Sequence, residues 1–182
     1  MSRSTPTDLS EPVDEARDHV QGSGDAPVTL IEYGDYECSH CGRAHSIVKE
    51  VQERLGEDLR FVFRNFPLRQ LHTHAEPAAE AAEAVAAREA GQFWEMHDRL
   101  YENQDALSAD DLQGYADDLG MDAERLARDL DEGSYRDRVE ADMLSGARSG
   151  VNGTPAFFIN GERFGGDWTD VDLFVGALQK RL

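Results

Sequence analysis

The chain has 182 residues, enough for one domain with a sizeable core or one domain carrying an insertion. Its formal net charge of -19 argues against nucleic acid and anionic membrane surfaces as partners, because both require a positive footprint. With only two cysteines there is no disulfide framework, so the pair is not the staple of a small secreted fold.

Residues 1–26 are rich in Ser, Thr, Pro, Asp and Glu and read as a flexible tail, with Ala16 to Val20 a candidate short edge element. Met1 to Val20 has no basic stretch followed by an apolar run, so no signal peptide is expected, and no stretch is long enough to span a membrane. The chain is expected to be cytoplasmic, or extracytoplasmic if a leader was removed. The core begins at residue 27. Val28 to Tyr33 is a short apolar, β-branched run between Asp25-Ala26-Pro27 and Gly34-Asp35, the pattern of a buried strand. Arg43 to Leu55 carries Ala44, Ile47, Val48, Val51 and Leu55 at helical spacing and stops at Gly56. Leu59 to Phe66 alternates apolar and polar residues and ends at Pro67, a second strand. Strand, helix, strand predicts a right-handed βαβ unit with parallel strands.

From about residue 71 to 150 helix formers dominate. Ala75 to Ala90, Gln92 to Asn103, a segment capped by Ser108 through Leu119, one opened by Asp122 through Leu130, and Ser134 to Ser149 form an all-helical insertion. Strand character returns with Pro155 to Ile159, an Asn160-Gly161 type I′ turn and Glu162 to Phe164, followed by an amphipathic C-terminal helix with Val171, Phe174, Val175 and Leu178. The fold class is therefore α/β, a central mixed sheet flanked by helices, with residues 27–182 as one domain.

Both cysteines lie in Glu37-Cys38-Ser39-His40-Cys41-Gly42, on the first turn of the helix that follows the first core strand. Unpaired backbone N–H groups and the positive dipole end stabilise an anion there, so Cys38 is the expected reactive thiolate. Cys41, three residues on along the same face, is placed to attack a mixed disulfide formed at Cys38. His40 can add positive charge or a hydrogen bond to the thiolate.

A Cys-x-x-Cys at this strand-to-helix junction, followed by a helical insert and then Gly153-Thr154-Pro155 before a hairpin, resembles the DsbA-like thiol-disulfide oxidoreductases of the thioredoxin fold, over about Asp25 to Leu182. The resemblance implies a thioredoxin fold with the helical insertion between its βαβ and ββα halves. It implies that Pro155 is a cis-proline and that Thr154 presents its backbone to an extended substrate segment. It also implies that Glu32, six residues before Cys38, accepts the proton of Cys41, and that His40 favours the Cys38 thiolate as in Cys-Pro-His-Cys members. Ser39 stands where that sequence has proline, and Thr154 where valine is usual. Ser39 and Tyr36 join the candidate substrate surface, Tyr36 either rimming it or packing. The arginine-dominated basic set, with Lys49 and Lys180 the only lysines, and the dispersed acidic residues resemble proteins of salt-loving organisms.

Other chemistry is less favoured. A zinc site lacks a second cysteine pair, and His40 points the wrong way to complete a tetrahedron. His45 reads as a solvated helix residue, His72 and His74 as a metal pair or polar residues leading into a helix, and Phe93, Trp94 and Met96 as core of the insert. Glu32 could also be an ordinary, partly exposed strand carboxylate. The expected activity is thiol-disulfide exchange with cysteines of protein or peptide substrates, recycled by a redox partner, a reaction that needs no metal, nucleotide or flavin. A kappa-like glutathione-dependent isomerase or transferase, and a non-catalytic holdase or metallochaperone, are the alternatives.

Overall fold

In the computed structural model, which describes residues 8–182, the first core run becomes strand β2 (Val28–Gly34), preceded by a short β1 (His19–Gln21). Every position of β2 is buried, which explains why it reads as continuous apolar character and not as alternation. Helix α1 (Ser39–Leu55) carries the chain to β3 (Leu59–Asn65). Helices α2 (Ala75–Arg88), α3 (Phe93–Glu102), α4 (Ala109–Asp118), α5 (Ala123–Glu132) and α6 (Arg136–Arg148) follow, and β4 (Ala156–Ile159), β5 (Glu162–Arg163) and α7 (Val171–Gln179) close the chain. The helical insertion expected at about 71–150 corresponds to α2 through α6. No helix among the described residues is long and apolar enough to cross a membrane.

These elements form two compact units. The first takes in the chain up to Gly34, Arg43–Arg64 and Leu144–Leu182. It holds a mixed sheet in the order β1-β3-β2-β4-β5, in which β1 runs antiparallel to β3, β4 to β2 and β5 to β4. The register sets Ile31 opposite Phe158 and Glu32 opposite Phe157. The hairpin between β4 and β5 turns on Asn160 and Gly161, with φ of 49° and 86°, the left-handed pair that a type I′ turn demands. The Asn160 side chain also accepts from the Thr29 amide at 2.8 Å, tying the turn to the start of β2.

Residues 8–26 depart from the tail their composition suggested, the edge element expected at Ala16 to Val20 overlapping β1, while residues 1–7 of that segment lie outside the described residues. The Leu9 amide donates to Gly161 O at 2.8 Å, the Ser10 amide to Ser149 Oγ at 2.9 Å, and His19 faces Phe63 across the β1–β3 pair. The physical reason is Arg64, a fully buried guanidinium at the end of β3. It donates from Nε and Nη2 to the two carboxylate oxygens of Asp18, each at 2.9 Å, and from Nη1 to Glu11 O at 3.0 Å and Tyr33 Oη at 2.9 Å. Nη2 also reaches Pro12 O at 3.1 Å. A buried cation requires a counter-charge and a full set of acceptors, and the N-terminal segment supplies most of them.

The second unit comprises Asp35–Gly42 and Asn65–Met143 and is helical. Helix α2 buries Ala75, Ala78, Ala79, Ala81, Ala82 and Ala84, small side chains that let neighbouring helices approach closely. Ser108 and Asp111 form a reciprocal capping box at the start of α4, and Asp122 caps α5, as their sequence positions suggested. Asn65 is held by Asp142 and Glu83, its amide donating to Asp142 Oδ2 at 2.9 Å and its Nδ2 to Glu83 Oε1 at 2.7 Å.

The buried Arg64–Asp18 pair generates two expectations. Asp18→Ala leaves the guanidinium uncompensated and should lower unfolding free energy by about 3–5 kcal/mol in urea titrations, with partial recovery in Asp18→Ala/Arg64→Met. Burial alone would raise the Asp18 pKa, but the Arg64 hydrogen bond and charge and the Asp14 backbone amide outweigh it and hold the carboxyl below its usual value. The contribution is therefore present above the unfolded carboxyl pKa of about 3.9 and lost as pH falls through the lower folded value, so the stability-against-pH curve of Asp18→Ala should lack that acid limb.

Candidate functional site

The site is built on the short turn between β2 and α1. Asp35 is 1% exposed, and its carboxylate accepts from the Glu37 amide at 2.8 Å through Oδ1. Its Oδ2 accepts from the Leu68 amide and meets His72 Nδ1, both at 2.8 Å. The Asp35 carbonyl accepts from the Cys38 amide at 3.2 Å. Glu37 makes a second tie to the same downstream segment, accepting from the His74 amide at 2.7 Å and lying 3.2 Å from His74 Nδ1. Gln104 secures the turn from another direction, its Nε2 donating to Tyr36 O at 2.9 Å and Cys38 O at 2.8 Å.

Cys38 sits one residue before the helix and not on its first turn, because its carbonyl already accepts from the Gly42 amide, at 3.1 Å. That is the N-cap position, where the orphan N–H groups of the first turn and the dipole favour a negative charge. Cys41 is the third residue of α1 and fully buried, whereas Cys38 is 6% exposed. Neither is in a disulfide. Ser39 and His40, between them, are exposed.

Tyr36 is 1% exposed and packs within the helical unit, which removes it from any rim of a binding surface. Its hydroxyl meets His97 Nδ1 at 2.9 Å and its ring lies 4.8 Å from that of Tyr101. Phe93 and Met96 are buried core residues, in line with the sequence reading. His45 is 8% exposed, so the expectation of a solvated helix residue is corrected: it falls one residue after Ala44 on the apolar face of α1. His72 and His74 each meet a different carboxylate of the turn through Nδ1, His72 that of Asp35 and His74 that of Glu37. The Asp35 hydrogen bond raises the His72 pKa; partial burial opposes it, and the Asp35, Cys38 and Glu37 charges add to the rise.

The remaining expected residues belong to the first unit. Glu32 lies on β2 and is 2% exposed, a buried carboxylate and not one on a partly exposed face. The Thr154-Pro155 peptide is cis, and both residues are partly buried immediately before β4. Asp35, Glu37 and Gln104 are the candidate-site residues that sequence reasoning missed, and His72 was singled out without its partner Asp35. Only the Asp35 side chain bonding to the amide two residues on was locally visible, as an Asx turn; the other partners are far away in sequence.

The thioredoxin family model matches residues 14–178. The Na(+)/H(+) antiporter NhaA 1 of Salinispora arenicola (strain CNS-205) is 45% identical over 161 residues, covering 88% of this chain and 24% of that protein. The chain thus spans about a quarter of the length of the curated relatives it matches. Among solved structures, oxidised BdbD from Bacillus subtilis has a TM-score of 0.85 and 25% identity, covering 96% of this chain and 97% of that one. α-DsbA1 from Wolbachia pipientis has a TM-score of 0.77 and 20% identity, over 97% and 95% of the two chains, a likeness of fold. The expected thioredoxin fold with its helical insertion is borne out.

Gly42 offers a signed test of the turn. A Cβ there would lie 2.1 Å from Gln104 Oε1, so Gly42→Ala must displace the amide that holds two carbonyls of the turn. We expect Gly42→Ala to destabilise the protein by about 1–2 kcal/mol in urea unfolding. In a Gln104→Ala background the same change should stabilise by up to about 1 kcal/mol, because alanine favours the helix over glycine.

Proposed function

Since the chain belongs to the thioredoxin family, we propose that it is a thiol-disulfide oxidoreductase of the DsbA-like kind, acting on cysteines of protein or peptide substrates. The observation that carries this reading is the pair itself: Cys38 at a helix N-cap, with Cys41 fully buried three residues behind it. A slightly exposed first thiol and an enclosed second one suit ordered exchange, in which only Cys38 meets the partner.

In the oxidising direction, a substrate thiolate attacks Cys38 of the Cys38–Cys41 disulfide, and Cys41 departs as a thiolate that takes up one proton. A second substrate thiol, on losing its proton, attacks the substrate sulfur of the mixed disulfide and releases Cys38 as the thiolate. Two electrons pass to the pair, and the substrate gains a disulfide. Reduction of a substrate disulfide is the reverse, with Cys41 resolving the intermediate. We assign His40 to stabilising the Cys38 thiolate and Glu32 to accepting the Cys41 proton. Ser39 and the Thr154-Pro155 backbone are assigned to the substrate, the backbone pairing with an extended segment by strand addition. Tyr36 has a packing role in this reading. A separate redox partner recycles the pair.

Replacing each cysteine separates the steps. Cys38→Ser should abolish turnover in a dithiol oxidation or reduction assay, while Cys41→Ser should accumulate a covalent adduct on Cys38 visible by intact mass. Full turnover by Cys38→Ser would overturn the assignment, and unimpaired turnover by Cys41→Ser would favour a glutathione-dependent isomerase or transferase.

A further inference from the structure

His72 plays no part in the exchange as written, yet it is tied to the turn that presents Cys38. Its Nδ1 meets Asp35 Oδ2 at 2.8 Å, and the carbonyl of the same Asp35 accepts from the Cys38 amide. The Asp35 side chain is fully enclosed, whereas that of His72 is 25% exposed and lines a cleft of the helical unit. With Oδ1 on the Glu37 amide and Oδ2 on the Leu68 amide and His72, the carboxylate is fixed, so the imidazole is held in one orientation.

We propose that His72 is a positioning residue of the thiol pair, an imidazolium held by Asp35 beside the Cys38 turn that favours the thiolate and loosens its proton when that thiolate is consumed. The proposal rests on the reading of Cys38 as a redox thiol.

The surroundings favour a cation. On the turn, Asp35, Glu37 and Cys38 contribute to holding the proton on His72. Around the cleft stand His74, Glu76, Glu80 and Asp131, with Arg69 and Arg136 as the cations. Arg69 is taken up by Glu76 at 2.7 Å and Glu140 at 2.6 Å, and Arg136 approaches Glu76 at 4.0 Å.

When a substrate disulfide oxidises the pair, the Cys38 and Cys41 sulfurs join and the partner's S–S bond breaks. Two electrons leave the pair, the Cys41 proton passes by way of Glu32 to a departing partner thiolate, and the negative charge on Cys38 disappears. An imidazolium that stabilised that charge must then bind its proton less tightly, because coupling between two sites is reciprocal. His72 should therefore titrate at higher pH in the reduced protein than in the oxidised one.

The test follows the His72 ring by NMR through a pH titration of both redox states, with Cys38 alkylation by iodoacetamide as a second readout. We expect His72 to shift its titration to lower pH on oxidation. His72→Gln should slow alkylation at pH 6 by a factor on the order of three to ten and move the pH profile to higher pH, and His72→Lys, which keeps a positive charge, should restore the rate. Identical His72 titrations in the two states, or an unchanged alkylation profile in His72→Gln, would overturn the proposal. The wild-type titration stands without any variant. Failure of the pair to form a disulfide would sink the oxidoreductase reading instead, and alkylation of the reduced protein would still decide the coupling between His72 and Cys38.

Discussion

The buried carboxylate of Asp35 is the constraint on which the candidate site depends. One side chain satisfies two backbone amides and an imidazole, and its own carbonyl holds the amide of Cys38. A carboxylate enclosed this completely is tolerable only when its oxygens are occupied, so the turn, the segment from Leu68 to His72 and the position of Cys38 are determined together. Glu37 and Gln104 add ties to the same few residues, the first through His74 and the second through two carbonyls. Cys38 thus stands on an over-determined backbone, the condition for a site to keep its geometry.

A comparable logic operates in the sheet unit. Arg64 buries a full positive charge, and Asp18, Glu11, Pro12 and Tyr33 supply its acceptors. The consequence is an edge strand, β1, and a docked N-terminal segment that apolar content alone would not secure. In both units a buried charge recruits distant polar partners, so polar residues specify the arrangement while the apolar runs supply the driving force.

That division explains what was legible in the sequence. The core strands, the five helices of the insertion and the Asn160-Gly161 hairpin follow local rules of apolar spacing, capping and left-handed turn residues, and they stand within a few residues of where those rules place them. The Cys-x-x-Cys was plain for the same reason, though the helix begins after Cys38, a one-residue matter set by which carbonyl accepts the first helical bond. Residues 8–15 read as tail, and Ala16 to Val20 only as a candidate edge element, because nothing local marks Asp18 as the partner of Arg64, 46 positions away. Tyr36 stayed open between surface and packing because its aromatic partners, His97 and Tyr101, lie on a helix about sixty residues downstream. His72 was ambiguous because its meaning depends wholly on Asp35, 37 residues earlier.

The most direct measurement equilibrates the protein with reduced and oxidised glutathione across a range of ratios, traps free thiols by alkylation and reads the species by mass. We expect a single reversible two-electron couple in which alkylation of Cys38 and Cys41 is lost together as the intramolecular disulfide forms. A protein whose thiols remain free at every ratio, or one that stops at a glutathione adduct on Cys38 with Cys41 still free, would contradict it.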